Sequence, residues 1–176
     1  MNINTLFDFN LYLVGLSGTG KSTCGRLLSD KLRLTFIDLD KEISKTEKVP
    51  IPQIFELKGE QYFRTLETSI LEFFSENTKQ VVATGGGIVE NYSNIQIMKN
   101  TGKMVWLKAS PVQISKRLSF KYADPRPLLG DFPDVTTISK MLKRRQHLYS
   151  EAELAIDTNK NSPSQIVTIL SKFLQH

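Results

Sequence analysis

The stretch Gly15-Leu16-Ser17-Gly18-Thr19-Gly20-Lys21-Ser22 fits the pattern G-x-x-x-x-G-K-[ST], and the interpretation of the whole sequence starts from it. The apolar run at residues 11–14 before it is suited to a buried strand, and residues 23–32 after it show helical apolar spacing. Its glycines let successive backbone N–H groups converge on one anion, and the positive end of the helix dipole adds to the attraction. The stretch therefore predicts a phosphate-binding loop.

Two side chains extend this prediction to a nucleotide. Lys21 can reach the outer phosphates, and the Ser22 hydroxyl can ligate Mg²⁺. The alternative is a glycine-rich strand-to-helix turn that binds nothing. A strand before the loop, a helix after it and the match at every signature position favour phosphate binding.

The composition predicts one compact cytoplasmic domain. The chain has 176 residues, and 40% of them are hydrophobic, which is enough for a core. No apolar run approaches the roughly 20 residues that span a bilayer, and residues 1–10 lack a signal-peptide pattern. The single cysteine, Cys24, cannot form an internal disulfide, which is typical of the cytoplasm. Cys24 could be a redox-sensitive thiol or a small buried side chain, and we favour the second.

The net charge of +5 makes nucleic acid a conceivable partner, but the pattern argues against it. Lysines and arginines are spread along the chain, with Lys143-Arg144-Arg145 as the one cluster, and no aromatic–basic platform is visible. A basic enzyme that attracts anionic substrates explains the charge equally well.

The rest of the chain alternates strand patterns with helix patterns. This alternation predicts a three-layer α/β/α domain with a five-stranded parallel sheet. Beyond the first strand and helix, we predict strands at residues 34–38, 80–84, 103–107 and 154–157. Helices are predicted at residues 41–46, 51–74 with an interruption at Gly59, 91–100, 111–119, 135–151 and 163–173.

Residues 123–133 break this alternation, because they contain three prolines and a glycine. The composition predicts a surface loop, and we interpret residues 120–133 as a mobile lid. Arg126 lies between two of the prolines and looks like a rigidly presented cation. The alternative is an ordinary surface loop whose arginine meets solvent.

Several polar and glycine residues follow predicted strands. Ligands of parallel α/β sheets bind beyond the carboxyl ends of the strands, so these residues should face one cleft. Asp38 and Asp40 share a parity at a strand's end and could hold Mg²⁺ through water or accept the proton of a hydroxyl. Their alternative is a turn or helix N-cap. Since Thr84 rather than an aspartate ends the third strand, Asp38 is the nearest candidate for a metal ligand.

The triplet Gly85-Gly86-Gly87 is costly in backbone entropy, which suggests that a ligand lies against bare backbone. A bulge or tight turn is the alternative.

Spacing alone makes Arg64 and Glu67 a surface pair on one helix face. It likewise assigns Arg144 and Arg145 to a solvated face.

The chain resembles the shikimate kinases in motifs that keep their order from residue 11 to the last helix. The motifs are GLSGTGKST, FIDLD, GEQYFRTLE, TGGG, RPLL, RRQHLY and DTNKNSP. Many kinases share the phosphate loop, but the combination of FR-x-x-E, TGGG and RPLL is specific. The resemblance implies a fold like that of the nucleoside monophosphate kinases. It also implies ATP- and Mg²⁺-dependent phosphorylation of the 3-hydroxyl of shikimate, on the route to chorismate and aromatic amino acids. We expect a monomer that binds neither nucleic acid nor membrane.

The resemblance also assigns residues to roles. Lys21, Asp40 and Arg126 are catalytic, with Asp40 the candidate base and Arg126 the lid arginine. Mg²⁺ is assigned to Ser22 and Asp38. Shikimate is assigned to Asp40, Arg64, Gly85, Gly86, Gly87 and Arg145, in a helical part at about residues 41–76 and its surroundings. ATP is assigned to Gly18, Thr19, Gly20, Lys21, Ser22, Thr23, Arg117, Arg126, Asn159 and Pro163.

These assignments override the surface interpretation of Arg64 and Arg145, since two planar guanidinium groups can chelate one carboxylate. There is one departure from the family's pattern. The segment at residues 117–124 is longer here, and Arg117 is taken as the arginine that stacks on adenine.

Two rival functions remain. A gluconate kinase of the same fold would not need two carboxylate-binding arginines together with TGGG. A guanine-dependent switch usually carries N-K-x-D, whereas Asn159-Lys160 continues as Asn161-Ser162.

Overall fold

The computed structural model describes residues 7–119 and 134–175. Its centre is a sheet of five strands, which pair in parallel in the order β2-β3-β1-β4-β5. The strands are β1 (Asn10–Val14), β2 (Thr35–Asp38), β3 (Gln80–Ala83), β4 (Gly102–Lys108) and β5 (Leu154–Asp157). The predicted five-stranded parallel sheet is confirmed.

Helices cover both faces of this sheet, as predicted. They are α1 (Lys21–Leu32), α2 (Leu39–Glu47), α3 (Ile51–Ser75), α4 (Tyr92–Thr101), α5 (Pro111–Ser119), α6 (Val135–Tyr149) and α7 (Pro163–Phe173). A short 3₁₀ helix at Ile88–Glu90 was not predicted. None of the helices within the described ranges is long and apolar enough to cross a bilayer.

The central strand β1 shows why the sheet needs cover on both sides. Successive side chains of a strand point to opposite faces. Leu11 and Leu13 join a core cluster with residues of α1 and α7, whereas Tyr12 and Val14 join one with residues of α3, α4 and α6. All five residues of β1 are buried, which explains why the strand is a continuous apolar run rather than an alternating one.

The junction of β2 and α2 differs from the prediction. Helix α2 begins at Leu39, directly after the strand ends at Asp38. Asp40 therefore lies in the first turn of a helix, and the expected shared strand parity of Asp38 and Asp40 is wrong. Asp38 is the N-cap residue of α2, but its side chain makes no capping hydrogen bond. Asp40 is not the cap.

Helices α2 and α3 pack together around Ile43, Ile54 and Phe63, which form a small core of their own. Helix α3 is kinked at Gly59, where φ is 80° and ψ is 169°, as the predicted interruption suggested. The kink separates the first part of α3, residues 51–58, from the longer second part that carries Arg64 and Glu67. The assignment of residues 41–76 to substrate binding stays a prediction. The predicted lid at residues 120–133, with Arg126, lies outside the described residues.

Candidate active site

The loop between β1 and α1 is closed by its own hydrogen bonds. Thr19 donates from its Oγ1 to the Leu16 carbonyl at 2.8 Å and from its backbone N–H at 3.3 Å. Gly20, with φ of 97°, provides the left-handed residue from which α1 starts at Lys21, where the helix after the loop was expected. Gly18 (φ 82°) also has positive φ, and Ser22 and Thr23 are exposed on the first turn.

The start of α1 is suited to an anion. No side chain caps the helix, and its first turn carries no acidic residue. Lys21 is buried across the loop, and its Nζ donates to the carbonyls of Gly15 at 2.7 Å and Leu16 at 3.0 Å. The ammonium group, the helix dipole and the glycine backbone thus concentrate positive potential at one place.

The segment Gly85-Gly86-Gly87 lies beside this loop, as expected of residues that follow parallel strands. Thr84 donates to the Leu13 carbonyl from its backbone N–H at 3.2 Å and from its Oγ1 at 3.0 Å, which ties the end of β3 to β1. A Cβ atom on Gly86 would lie 3.1 Å from the backbone nitrogen of Ser17. The predicted convergence of the strand ends is therefore present for these two loops.

Neighbouring atoms leave no free space for a side chain at Gly85, Gly86 or Gly87. A Cβ on Gly85 would collide with the carboxylate of Glu67 and lie 3.0 Å from Oδ1 of Asp40. A Cβ on Gly87 would lie 2.7 Å from Nη2 of Arg64. None of the three glycines has positive φ. At Gly85 and Gly87 the missing side chains thus leave room for charged side chains of the protein itself, and at Gly86 for the phosphate loop. Contact of the three glycines with a ligand stays a prediction.

Arg64 and Glu67 form a largely buried ion pair, so the surface-pair interpretation from spacing is wrong. Arg64 Nη1 donates to Glu67 Oε2 at 2.7 Å, and the side chains are only 17% and 1% exposed. Burial raises the pKa of Glu67 to about 7, and Asp40 adds to the rise, while Arg64 and Arg145 act against it. Glu67 Oε1 is buried and has no hydrogen-bond partner among the described residues.

Arg145 on α6 is likewise buried, with its side chain 2% exposed, whereas the neighbouring Arg144 is 66% exposed. The solvated-face interpretation is therefore wrong for Arg145 and right for Arg144. Arg145 Nη1 donates to the Gly86 carbonyl at 3.5 Å. Its Nε is buried without a hydrogen-bond partner in the part of the chain that the structure describes. Tyr149, one turn further on, donates to the same Gly86 carbonyl at 2.5 Å.

Glu90, at the end of the 3₁₀ helix, is a member of the site that sequence reasoning missed. Its Oε2 lies 2.5 Å from Arg145 Nη2 and 3.8 Å from Arg64 Nη2, and its Oε1 lies 2.5 Å from Arg144 Nη2. Burial raises the pKa of Glu90, but the Arg145 hydrogen bond and the arginine charges outweigh it, so the pKa is lowered. The only signal in the sequence was an acidic residue shortly after TGGG.

Arg117 connects the phosphate loop to the loop after β5. Its guanidinium donates to Thr158 Oγ1 at 2.9 Å, to the Thr158 carbonyl at 2.8 Å and to the Gly18 carbonyl at 3.3 Å. Asn159 accepts from the backbone N–H of Ser110 at 3.1 Å. Pro163 begins α7. Arg117 and Asn159, both assigned to the nucleotide, are thus brought to one place beside the phosphate loop.

No group of three or more histidine, cysteine, aspartate or glutamate side chains among the described residues is arranged to hold a metal ion. A magnesium ion that arrives with nucleotide phosphates keeps several waters and needs only one or two protein ligands. Ser22, on the first turn of α1, and Asp38, at the end of β2, fit that requirement by chemistry.

Together the sheet and the loop define a P-loop protein of the α/β/α class, in which the loop lies beside a cluster of arginines and carboxylates. Residues 17–175 match the family model described as shikimate kinase. The chain belongs to the shikimate kinase family.

Individual proteins agree with this assignment. The chain is 42% identical to a shikimate kinase from Sulfurihydrogenibium sp. over 93% of its length and 96% of that protein. It is 41% identical to one from Persephonella marina, over 90% and 94% of the two chains. The structure of shikimate kinase from Acinetobacter baumannii in complex with shikimate superposes with a TM-score of 0.87 at 34% identity, covering 94% of this chain and 92% of that one.

Proposed function

We propose that this protein transfers the terminal phosphoryl group of ATP to the 3-hydroxyl of shikimate, which yields shikimate 3-phosphate and ADP. This is the reaction that family membership implies, and it is a step on the route to chorismate and aromatic amino acids. The observation that carries the proposal is the pair of arginines, partly buried Arg64 and buried Arg145, placed against the glycine segment beside the phosphate loop.

The phosphate loop is the proposed site for the nucleotide. Bound MgATP supplies the phosphoryl group that is transferred. The backbone of residues 18–23 and the start of α1 bind its phosphates, and Lys21 leaves its carbonyl partners to neutralise them. We assign the metal to Ser22 and Asp38, and the adenine side to Arg117, Asn159 and Pro163. Arg117 is held by one edge on Thr158 and Gly18, so its planar face is fixed for stacking.

The arginine pocket is the proposed site for the acceptor. A buried donor without a partner, Arg145 Nε, and a buried acceptor without a partner, Glu67 Oε1, remain there among the described residues. Buried polar atoms are almost always hydrogen-bonded, so each of these atoms calls for a ligand group. A carboxylate for the arginine and a hydroxyl for the glutamate are what shikimate offers, and gluconate lacks the rigid ring that would present both.

Asp40 is the proposed base. It lies close to Gly85 and Glu67, in the first turn of α2, where the helix dipole stabilises its negative charge. There it can orient the hydroxyl that is phosphorylated and accept its proton. Arg126, outside the described residues, is assigned to the transferring phosphate. We further propose a monomer that works in the cytoplasm and binds neither nucleic acid nor membrane.

The test is an assay of ADP release in the presence of MgATP and either shikimate, gluconate or a nucleoside monophosphate. We expect release to depend on shikimate alone, with the product carrying phosphate on the 3-hydroxyl as seen by phosphorus NMR. Turnover with gluconate but not with shikimate would replace the proposal by its nearest rival. ATP hydrolysis without any acceptor dependence would favour a nucleotide switch.

A further inference from the structure

Glu90 lies beside Arg64 and Arg145, where the proposed reaction needs the carboxylate of the acceptor. Its Oε2 lies between Arg145 Nη2, at 2.5 Å, and Arg64 Nη2, at 3.8 Å. These are the two guanidinium groups to which the proposed function assigns the carboxylate of the acceptor. A carboxylate of the protein is thus hydrogen-bonded to Arg145 and lies within ion-pair distance of Arg64, whose Nη2 also donates to Glu60 Oε1 at 3.2 Å.

We propose that Glu90 is an internal competitor of the acceptor: its carboxylate holds the two arginines until the acceptor's carboxylate displaces it, and this exchange sets how tightly the acceptor binds. The inference rests on the proposed function, because it concerns the same pocket. It adds a residue that controls affinity for anionic acceptors and that does not itself react.

The charges around Glu90 support a competition rather than a shared site. Both of its oxygens are engaged, Oε1 by Arg144 and Oε2 by Arg145. A second carboxylate that enters between Arg64 and Arg145 meets the negative charge of Glu90 at close range, and like charges at that distance repel each other. The low pKa of Glu90 keeps this charge present at neutral pH.

Arg144 can hold the Glu90 carboxylate after the acceptor has displaced it from Arg145. It lies next to Arg145 in sequence but is 66% exposed, and its Nη2 is 2.5 Å from Glu90 Oε1. Glu90 itself is 26% exposed, so its side chain has solvent on one side. When the acceptor takes Arg145, Glu90 can keep Arg144 at the rim of the pocket. Arg145 Nε, buried without a partner among the described residues, offers the incoming carboxylate a first donor before Glu90 leaves.

The experiment measures acceptor binding in the Glu90→Gln variant, which keeps the shape of the side chain and removes its charge. We expect KM for shikimate to fall by about three- to tenfold, with kcat and KM for ATP nearly unchanged. The matched control is Glu151→Gln. This substitution changes the net charge equally and breaks an exposed ion pair with Lys99, which involves neither Arg64 nor Arg145. In the control KM for shikimate should not change. An unchanged or higher KM in Glu90→Gln would overturn the proposal.

A carboxylate-free probe checks the chemistry of the competition. In the probe, a hydroxymethyl group replaces the carboxylate of shikimate. Its inhibition constant should be the same in wild-type protein and in Glu90→Gln, because it does not compete for the arginines. A gain for the probe as large as that for shikimate would mean that the substitution merely opens the pocket, and would contradict the inference.

Arg144→Gln tests the same competition from the exposed side, where a substitution does not disturb folding. With Arg144 gone, Glu90 relies on Arg145 and Arg64, so KM for shikimate should rise by about two- to fivefold. In the double variant with Glu90→Gln this rise should disappear. A rise that persists without Glu90 would show a direct effect of Arg144 and defeat the exchange mechanism. If wild-type protein showed no shikimate-dependent turnover at all, the proposed function would fail instead.

Discussion

At the scale of single residues, burial changes what a charge does. Helical spacing places Arg64, Glu67 and Arg145 on surfaces, yet all three side chains are largely or fully buried. A buried charge is costly unless it is paired, and breaking such a pair costs more than forming it contributes. These residues therefore act through the partners that the fold gives them.

Lys21→Ala should abolish phosphoryl transfer while the protein remains folded. Lys21 is the ammonium group assigned to the outer phosphates, and its Nζ donates to two carbonyls of the loop. Initial rates at saturating substrates measure the first effect, and thermal denaturation measures the second. Near-wild-type turnover in this variant would remove the loop lysine from the mechanism.

Arg64→Ala and Arg145→Ala should each weaken shikimate binding by about 1.5–3 kcal/mol, the range for a charge-assisted hydrogen bond. ATP affinity should change little. Titration calorimetry with each ligand gives both values, and Lys143→Ala, an exposed change on the same helix as Arg145, serves as the control. Loss of ATP affinity with shikimate affinity intact would show that the two pockets were assigned the wrong way round.

At the scale of elements, local patterns predicted the strands and helices well, and the errors fall at junctions. The apolar periodicity of α1 is visible only from residue 23, although the helix begins at Lys21, directly after Gly20 ends the loop. Helix α2 follows β2 without a loop, so the strand parity assumed for Asp40 does not apply. Periodicity cannot locate such junctions, because they depend on how the strand end packs rather than on the residues' own preferences.

Gly59→Ala should lower the free energy of unfolding by about 1–3 kcal/mol. The backbone at Gly59 has φ of 80° and ψ of 169°, a conformation that is strained for any residue with a side chain. No atom lies within 4 Å of the added Cβ, so the cost comes from the backbone and not from a clash. Urea denaturation measures it against Glu56→Ala, an exposed change in the same helix. Equal stability of the two variants would show that the kink is not needed.

At the scale of the whole molecule, parallel strands bring distant loops to one edge. The phosphate loop, the glycine segment and the loop after β5 come from separate parts of the chain, but each follows a strand of the same sheet. Helices α3 and α6 then add Arg64 and Arg145, which come from different halves of the sequence. The stability of the fold and the charge state of this shared site are consequently linked.

The pH dependence of stability should show this link. The pKa of Glu67 is about 7 in the folded protein, against an ordinary value of 4.5. Between these values the folded state binds more protons than the unfolded state, so wild-type protein loses stability as the pH rises from about 5 to 8. Glu67→Gln lacks this titration. Its stability relative to wild type should therefore increase over that range, by on the order of 1–3 kcal/mol.

Thermal and urea denaturation of the two proteins at pH 5, 6, 7 and 8 measure the difference directly. Glu151→Gln, which removes an exposed glutamate, serves as the control with the same change of net charge. A constant difference between wild type and Glu67→Gln across this range would mean that Glu67 is ionised throughout, with its pKa held down by Arg64.

The sequence by itself determined the phosphate loop, the order of strands and helices, and the family motifs, because each of these depends on residues that are close together in the chain. Only the tertiary structure decided which charges are buried and what they face. Glu90 and Arg145 are separated by 55 positions and meet because α6 packs on the 3₁₀ helix after β3. No local pattern records that contact, since it arises from how the layers pack on the sheet. Gly85 and Gly87 show the same limit, because what crowds them is Glu67, Asp40 and Arg64 from other elements.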